Sequence, residues 1–200
     1  MTRIIAGRAK GRRLATPKGD ATRPTSDRVR EALFSAVESW CGTLTGLRVL
    51  DLYAGSGAVG LEAWSRGAAA VTLVEQDRRT AALVSGNART LGAGEVQVVA
   101  AAVGTHLLGS PGEPYDVVFS DPPYPLPAER VEEDLARLVA GGWLRPDALV
   151  VVERSSRGVP VRWPEGLEAT RERRYGETAL WYGHAVGPGP GAGEDQQEES

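Results

Sequence analysis

Between residues 48 and 153, short runs rich in Val and Leu alternate with segments of helical spacing, and this alternation constrains the fold more than any other feature of the chain. The runs fall at 48–52, 70–75, 96–99, 115–120 and 148–153. Between them the spacing predicts helices over about 58–66, 78–91 and 128–140, and a weak one near 105–108. Each run is apolar on both faces. A strand of that kind belongs in a parallel sheet covered by helices on both sides, the arrangement that strand–helix–strand units build. Upstream, Thr25 or Ser26 is placed to cap a helix through Val29, Ala32, Leu33, Ala36, Val37 and Trp40. Downstream, residues 169–182 read as two strands around Gly176-Glu177, so the sheet is expected to have seven strands and to end in an antiparallel hairpin.

The first strand runs into Asp51-Leu52-Tyr53-Ala54-Gly55-Ser56-Gly57-Ala58-Val59-Gly60. Glycines at a strand-to-helix turn let the backbone approach a ligand closely and leave helix N-terminal amides facing it. Gly55 to Gly60 fits the dinucleotide pattern, a weak signal by itself. Two acids redirect the reading. Asp51 lies inside the strand, where a carboxylate gives a pyrophosphate nothing but is placed to accept from a cofactor amine or to fix the loop. Glu75 ends the second strand, where an acid holds ribose hydroxyls. S-adenosylmethionine, with an amine, a carboxylate and a ribose, fits this set better than NAD does, and a closing antiparallel hairpin is characteristic of methyltransferase sheets rather than of dinucleotide dehydrogenases.

The run Tyr115-Asp116-Val117-Val118-Phe119-Ser120 ends in Asp121-Pro122-Pro123-Tyr124. An exocyclic amine of a nucleobase is a poor nucleophile, because its lone pair is delocalised into the ring. Acceptors at the Asp121 carboxylate and the Pro122 carbonyl would hold the amine protons and turn the lone pair toward a methyl donor. Successive prolines stiffen those acceptors, and Tyr124 offers a face on which a base can stack. Asp121, Pro122 and Tyr124 are therefore the expected catalytic residues, and Asp121 also borders the cofactor.

The net charge of -3 hides an uneven distribution. Up to Glu31 there are nine basic residues (Arg3, Arg8, Lys10, Arg12, Arg13, Lys18, Arg23, Arg28 and Arg30) against Asp20, Asp27 and Glu31, an excess of six positive charges. Such an end suits a polyanion. Residues 3–14 read as a basic hairpin arm, with Arg3, Arg8, Lys10, Arg12, Arg13 and Arg23 as candidate RNA contacts. From Gly187 the chain is acidic and almost without apolar residues, so residues 187–200 are expected to form a disordered tail after an arm at 1–24 and a main domain at 25–186. A single Cys41 excludes an internal disulfide framework, and with only His106 and His184 besides it no metal-ligand cluster is expected. No run reaches the length of a membrane span, and the N-terminus lacks a signal-peptide core, so a cytoplasmic protein is expected.

Arg23-Pro24-Thr25-Ser26-Asp27-Arg28-Val29-Arg30-Glu31, preceded by Arg3-Ile4-Ile5-Ala6-Gly7 and Gly11-Arg12-Arg13-Leu14, resembles the N-terminus of the RsmD family, bacterial methyltransferases acting on small-subunit ribosomal RNA. The likeness continues through the glycine loop, Glu75, Asp121-Pro122-Pro123-Tyr124 and Gly142-Trp143-Leu144, nearly everything before the acidic tail. It implies an α/β, Rossmann-like class I S-adenosylmethionine-dependent methyltransferase fold; a monomer is expected, although nothing in the sequence fixes the oligomeric state. The implied reaction is methylation of the N2 amine of one guanine in 16S rRNA, with the assembled small subunit as substrate. The resemblance assigns cofactor roles to Asp51, Gly55, Gly57 and Glu75, with Tyr53 inside the same loop. Where many relatives carry an acid after the third strand, this chain has Ala101-Ala102-Val103, so backbone groups around Ala102 are expected to meet the adenine. Arg28 and Arg30 are left between bracing the loop, contacting the cofactor carboxylate and contacting RNA phosphates. Other readings of the same residues are an amino-methyltransferase acting on DNA adenine or protein glutamine, a noncatalytic ribosome-assembly factor and, more distantly, a nicotinamide-dependent oxidoreductase.

Overall fold

The computed structural model describes residues 2–17 and 26–187. Arg23, Thr25 and the tail beyond Gly187 lie outside the described residues. In chain order the elements are β1 (Thr2–Arg3), β2 (Arg13–Leu14), α1 (Asp27–Cys41), β3 (Arg48–Leu52), α2 (Ala58–Ser65), β4 (Ala70–Glu75), α3 (Arg78–Leu91), β5 (Val96–Ala100), α4 (Val103–His106), β6 (Tyr115–Ser120), α5 (Ala128–Ala140), β7 (Leu144–Ser155), β8 (Leu167–Tyr175) and β9 (Thr178–Ala185). Seven strands form one sheet in the order β5-β4-β3-β6-β7-β9-β8. The first five of that order are parallel, while β9 runs antiparallel to both β7 and β8.

The two apolar faces seen in the sequence sort into two cores. Val49, Val71, Leu73, Val117, Phe119 and Val151 pack beneath α1, α2 and α3. Their alternates Leu50, Leu52, Val74, Val118, Val150 and Val152 pack against Val131, Leu135 and Leu138 of α5. Successive side chains of a strand point to opposite faces, so a run of Val and Leu feeds both layers.

Helix α1 starts where Ser26 accepts a hydrogen bond from the Val29 amide, and it buries Val29, Leu33, Phe34 and Val37. Trp40 leaves the expected apolar face: it is 43% exposed and its indole donates to the Asp147 carbonyl. The weak helix begins at Val103, two residues before its expected start. Strand β7 starts at Leu144, earlier than the apolar run, because half-buried Leu144 pairs with Tyr115 before a register shift spans the exposed residues that follow. The closing hairpin turns at Gly176, whose φ is +62°.

The basic arm is a hairpin only briefly, Thr2 pairing Leu14 and Arg3 pairing Arg13. It is docked over the C-terminal end of α2. The Ile5 and Ala6 amides donate to the two carboxylate oxygens of buried Glu62 at 2.7 and 2.9 Å, and the Ala9 amide donates to Ser65 Oγ at 2.9 Å. Gly7 makes this approach possible, since a Cβ there would lie 1.9 Å from the Ser65 carbonyl oxygen. Ile4, Ala9 and Leu14 join the core beneath.

Candidate active site

Register across the parallel strands brings together the strand ends that carry the candidate residues. Leu52 pairs with Val74 on one side and Ser120 on the other, and Ser120 pairs with Val152. One residue further on, the row reads Glu75, Tyr53, Asp121 and Glu153, flanked by Ala100 opposite Glu75. Carboxyl ends of parallel strands are where open α/β sheets bind ligands.

The glycine loop leaves β3 through Tyr53, at φ +62°, and continues through Gly55 at +54° and Gly57 at +76°. The two glycines serve different ends. A Cβ on Gly57 would lie 2.6 Å from Val84 Cγ1, so that residue lets α3 pack against the loop. A Cβ on Gly55 would meet nothing nearer than the Tyr53 carbonyl oxygen at 3.9 Å, so the backbone there faces open space. Glu75 joins loop to strand: Oε2 accepts from the Gly55 amide at 3.0 Å and Oε1 from the Asp77 amide at 2.8 Å. Each carboxylate oxygen has a further lone pair for a ligand hydroxyl. Asp77 then caps α3, accepting from the Thr80 amide at 2.8 Å.

Asp51 is 1% exposed and accepts from the Gly60 amide at 2.9 Å. Of its two expected roles, the geometry favours fixing the loop and the start of α2. Burial pushes its carboxyl up to about 7, with the Gly60 amide opposing and Glu75 adding to the rise. Tyr53 turns its ring toward α5, where its hydroxyl donates to Asp134 Oδ2 at 2.5 Å. Arg137 stands 3.7 Å from the other oxygen of Asp134 and donates to the Gly104 carbonyl at 3.4 Å, so α5 holds both the glycine loop and α4. Ala102 is the exposed N-cap of α4, two residues beyond the Ala100–Glu75 pair.

Asp121 sits at the end of β6 with Pro122 buried behind it and Tyr124 52% exposed. Burial holds the Asp121 carboxyl well above the usual carboxylate range; Glu153 and Asp51 add to the rise and Arg154 opposes it. The loop beyond turns at Pro123, whose carbonyl accepts from the Leu126 amide at 2.8 Å. Arg154 Nη2 donates to the Leu126 carbonyl at 2.9 Å.

Several arginines of the arm are engaged away from this rim. Arg3 pairs with Asp27 at 3.1 Å. Arg8 donates to the Trp64 carbonyl at 3.1 Å and lies 4.6 Å over the Trp64 ring, while Arg12 donates to the Thr90 carbonyl at 3.2 Å. Lys10, Arg13 and Arg28 are exposed. Arg30 is fully buried, donating to the Arg3 carbonyl at 2.5 Å and to Asp27 at 3.0 Å, which makes it a brace for the arm.

Sequence reasoning passed over Glu62, Asp134, Glu153 and Arg154. For Asp134 there was a signal, an acid set among Val131, Leu135 and Leu138 on the apolar stripe of α5. Glu153 likewise closes a buried Val-Val-Val run.

A mostly parallel seven-stranded sheet that ends in an antiparallel hairpin, with a glycine loop and an Asp-Pro-Pro-Tyr turn on one rim, defines a Rossmann-like methyltransferase. The family model described as Conserved hypothetical protein 95 matches residues 2–184. The Escherichia coli (strain K12) protein named Ribosomal RNA small subunit methyltransferase D is 40% identical over 179 residues, covering 88% of this chain and 86% of that one. The Haemophilus influenzae protein of the same name is 34% identical over 177 residues, covering 87% and 89%. Among solved structures, the Escherichia coli yhhF protein superposes with a TM-score of 0.80 at 36% identity, covering 93% of this chain and 98% of that one. The chain belongs to this family, the RsmD methyltransferases.

Proposed function

We propose that this chain transfers a methyl group from S-adenosylmethionine to the exocyclic N2 amine of one guanine in 16S rRNA, in the cytoplasm and on an assembled or assembling small subunit. The observation that carries the reading is the row of Glu75, Tyr53 and Asp121 at the ends of neighbouring parallel strands, with an acid suited to ribose hydroxyls two strands from an acid suited to holding an amine. The relatives named as small-subunit rRNA methyltransferases support the substrate class.

The residues present fit the cofactor. Glu75 has spare lone pairs for two ribose hydroxyls, the open side of Gly55 admits a close ligand, and the backbone around Ala102 lies beside Glu75 for the adenine edge. When bound, S-adenosylmethionine supplies an electrophilic methyl on a sulfonium. Asp121 and the Pro122 carbonyl accept the amine protons of the flipped guanine, which localises its lone pair. Tyr124, half exposed at the mouth, stacks on the base, a contact worth about 1–3 kcal/mol. A carboxyl held above its ordinary range is a competent acceptor for the proton lost as the nitrogen becomes cationic. Lys10 and Arg13 on the docked arm contact phosphate, positioning the protein without reading sequence.

Tritiated methyl incorporation into small subunits, naked 16S rRNA, DNA and protein tests this. Label is expected in rRNA of small subunits, at guanine N2 by mass mapping, and Asp121→Ala is expected to abolish it while cofactor affinity changes little. Label only in DNA or protein, or full activity in Asp121→Ala, would overturn the reading.

A further inference from the structure

Arg154 stands where three observations meet. It follows Glu153 at the end of β7, in the strand adjacent to Asp121. Its Nη2 anchors the carbonyl of Leu126, the residue that closes the turn begun at Pro123. Its Nη1 is buried with no hydrogen-bond partner among the described residues, a costly arrangement unless a site uses the charge. We propose that Arg154 is a positioning residue for methyl transfer, tying down the loop that carries Asp121-Pro122-Pro123-Tyr124 and supplying the positive charge against which Asp121 works. The proposal rests on the methyltransferase reading of this rim.

Asp121 is crowded by like charge: Asp51 from β3 and Glu153 from β7 both face it, and Arg154 is the cation that opposes them. Arg154 and Arg130 also face the Tyr53 hydroxyl, which Asp134 holds from α5. An amine-holding acceptor must be ionised when substrate arrives, so a cation beside it widens the pH range of activity. The bond to Leu126 does something separate. It fixes a carbonyl in the loop between β6 and α5 and thereby the direction in which Tyr124 leaves the strand. One residue therefore sets both charge and loop geometry, and lysine preserves only the first, since it lacks the planar fork.

The test uses protein labelled with 13C at aspartate carboxyls, with the Asp121 signal assigned from Asp121→Asn, alongside pH profiles of methyl transfer to small subunits. Deprotonation of Asp121 must climb against Glu153 and Asp51 unaided in Arg154→Met, so its titration midpoint is expected to rise, and the acid limb of kcat to move to higher pH with it. Arg154→Lys is expected to restore the midpoint but to keep a raised KM for small subunits, because the Leu126 carbonyl is no longer held. If Arg154→Met does not fold, Arg154→Gln takes its place in both measurements. An unmoved midpoint with an unmoved acid limb would overturn the inference. Absence of methyl transfer by the wild-type protein would overturn the functional reading instead, while the carboxyl titration would still judge Arg154.

Discussion

Removing Glu62 is expected to release the N-terminal arm. The side chain is fully buried and receives three hydrogen bonds, from the amides of Ile5 and Ala6 and, at 2.9 Å, from Arg66 Nε. Hydrogen bonds to a charged group contribute about 1.5–3 kcal/mol each, so three independent ones would come to roughly 5–9 kcal/mol. The real loss is smaller, since two of the donors belong to a segment that can lift away and find water. What remains is the cost of two cations left behind, Arg66 at 11% side-chain exposure and Arg30 at 0%. Breaking a buried pair costs about 3–5 kcal/mol, and that is the expected loss for Glu62→Ala. Against a total of about 5–15 kcal/mol for a domain, the variant should still fold. Urea unfolding measures the loss, and trypsin cleavage at Arg8, Lys10, Arg12 or Arg13 reports whether the arm has lifted. Glu62→Gln keeps an acceptor and the shape, so it should fall between. A loss under about 1 kcal/mol, with the arm as resistant as in the wild type, would refute the idea that this carboxylate docks it.

The glycine loop gives a paired contrast: Gly57→Ala should cost about 2–4 kcal/mol in unfolding experiments through strain and overpacking on Val84, whereas Gly55→Ala should cost about 1–2 kcal/mol yet weaken cofactor binding more, as measured by calorimetry. Asp51→Asn should be more stable than the wild type above pH 7 in thermal melts. The folded-state carboxyl is raised to about 7, so the stability of the wild type is fully present below about pH 4 and falls as pH climbs toward 7, by up to about 4 kcal/mol; a difference between the two proteins that stays constant from pH 4 to 8 would contradict this. Tyr53→Phe leaves the buried Asp134 without its donor and should cost about 1–3 kcal/mol, with a several-fold loss of cofactor affinity, whereas unchanged calorimetry would show that α5 does not hold the loop.

Much of the site was legible because its signals are local. A glycine at positive φ, an acid ending a strand and two prolines after another strand announce themselves within a few residues. Asp51 was the ambiguous case: its place before the loop suited a ligand contact or a bracing role, and only its burial and its bond to Gly60 favour the second. The arginines of the arm read as a phosphate-binding surface because composition records charge without partners. Three of them also have partners within the chain, Arg3 with Asp27, Arg8 with Trp64 and Glu95, and Arg12 with Thr90, although these three are exposed, as Lys10 and Arg13 are.

By itself the sequence determined the layers: strand runs apolar on both faces call for a sheet covered by helices on both sides, and the turn residues between them mark where ligands approach. Tertiary structure decided which ends meet. Strand order is set by packing across long crossovers, and no periodicity in 115–120 or 148–153 states that β6 lies between β3 and β7. It also decided where charges are buried, because a buried ion needs partners that the local chain does not supply. Glu62 finds its amides 56 and 57 residues away, and Asp121 meets Glu153 and Arg154 only once their strands lie side by side.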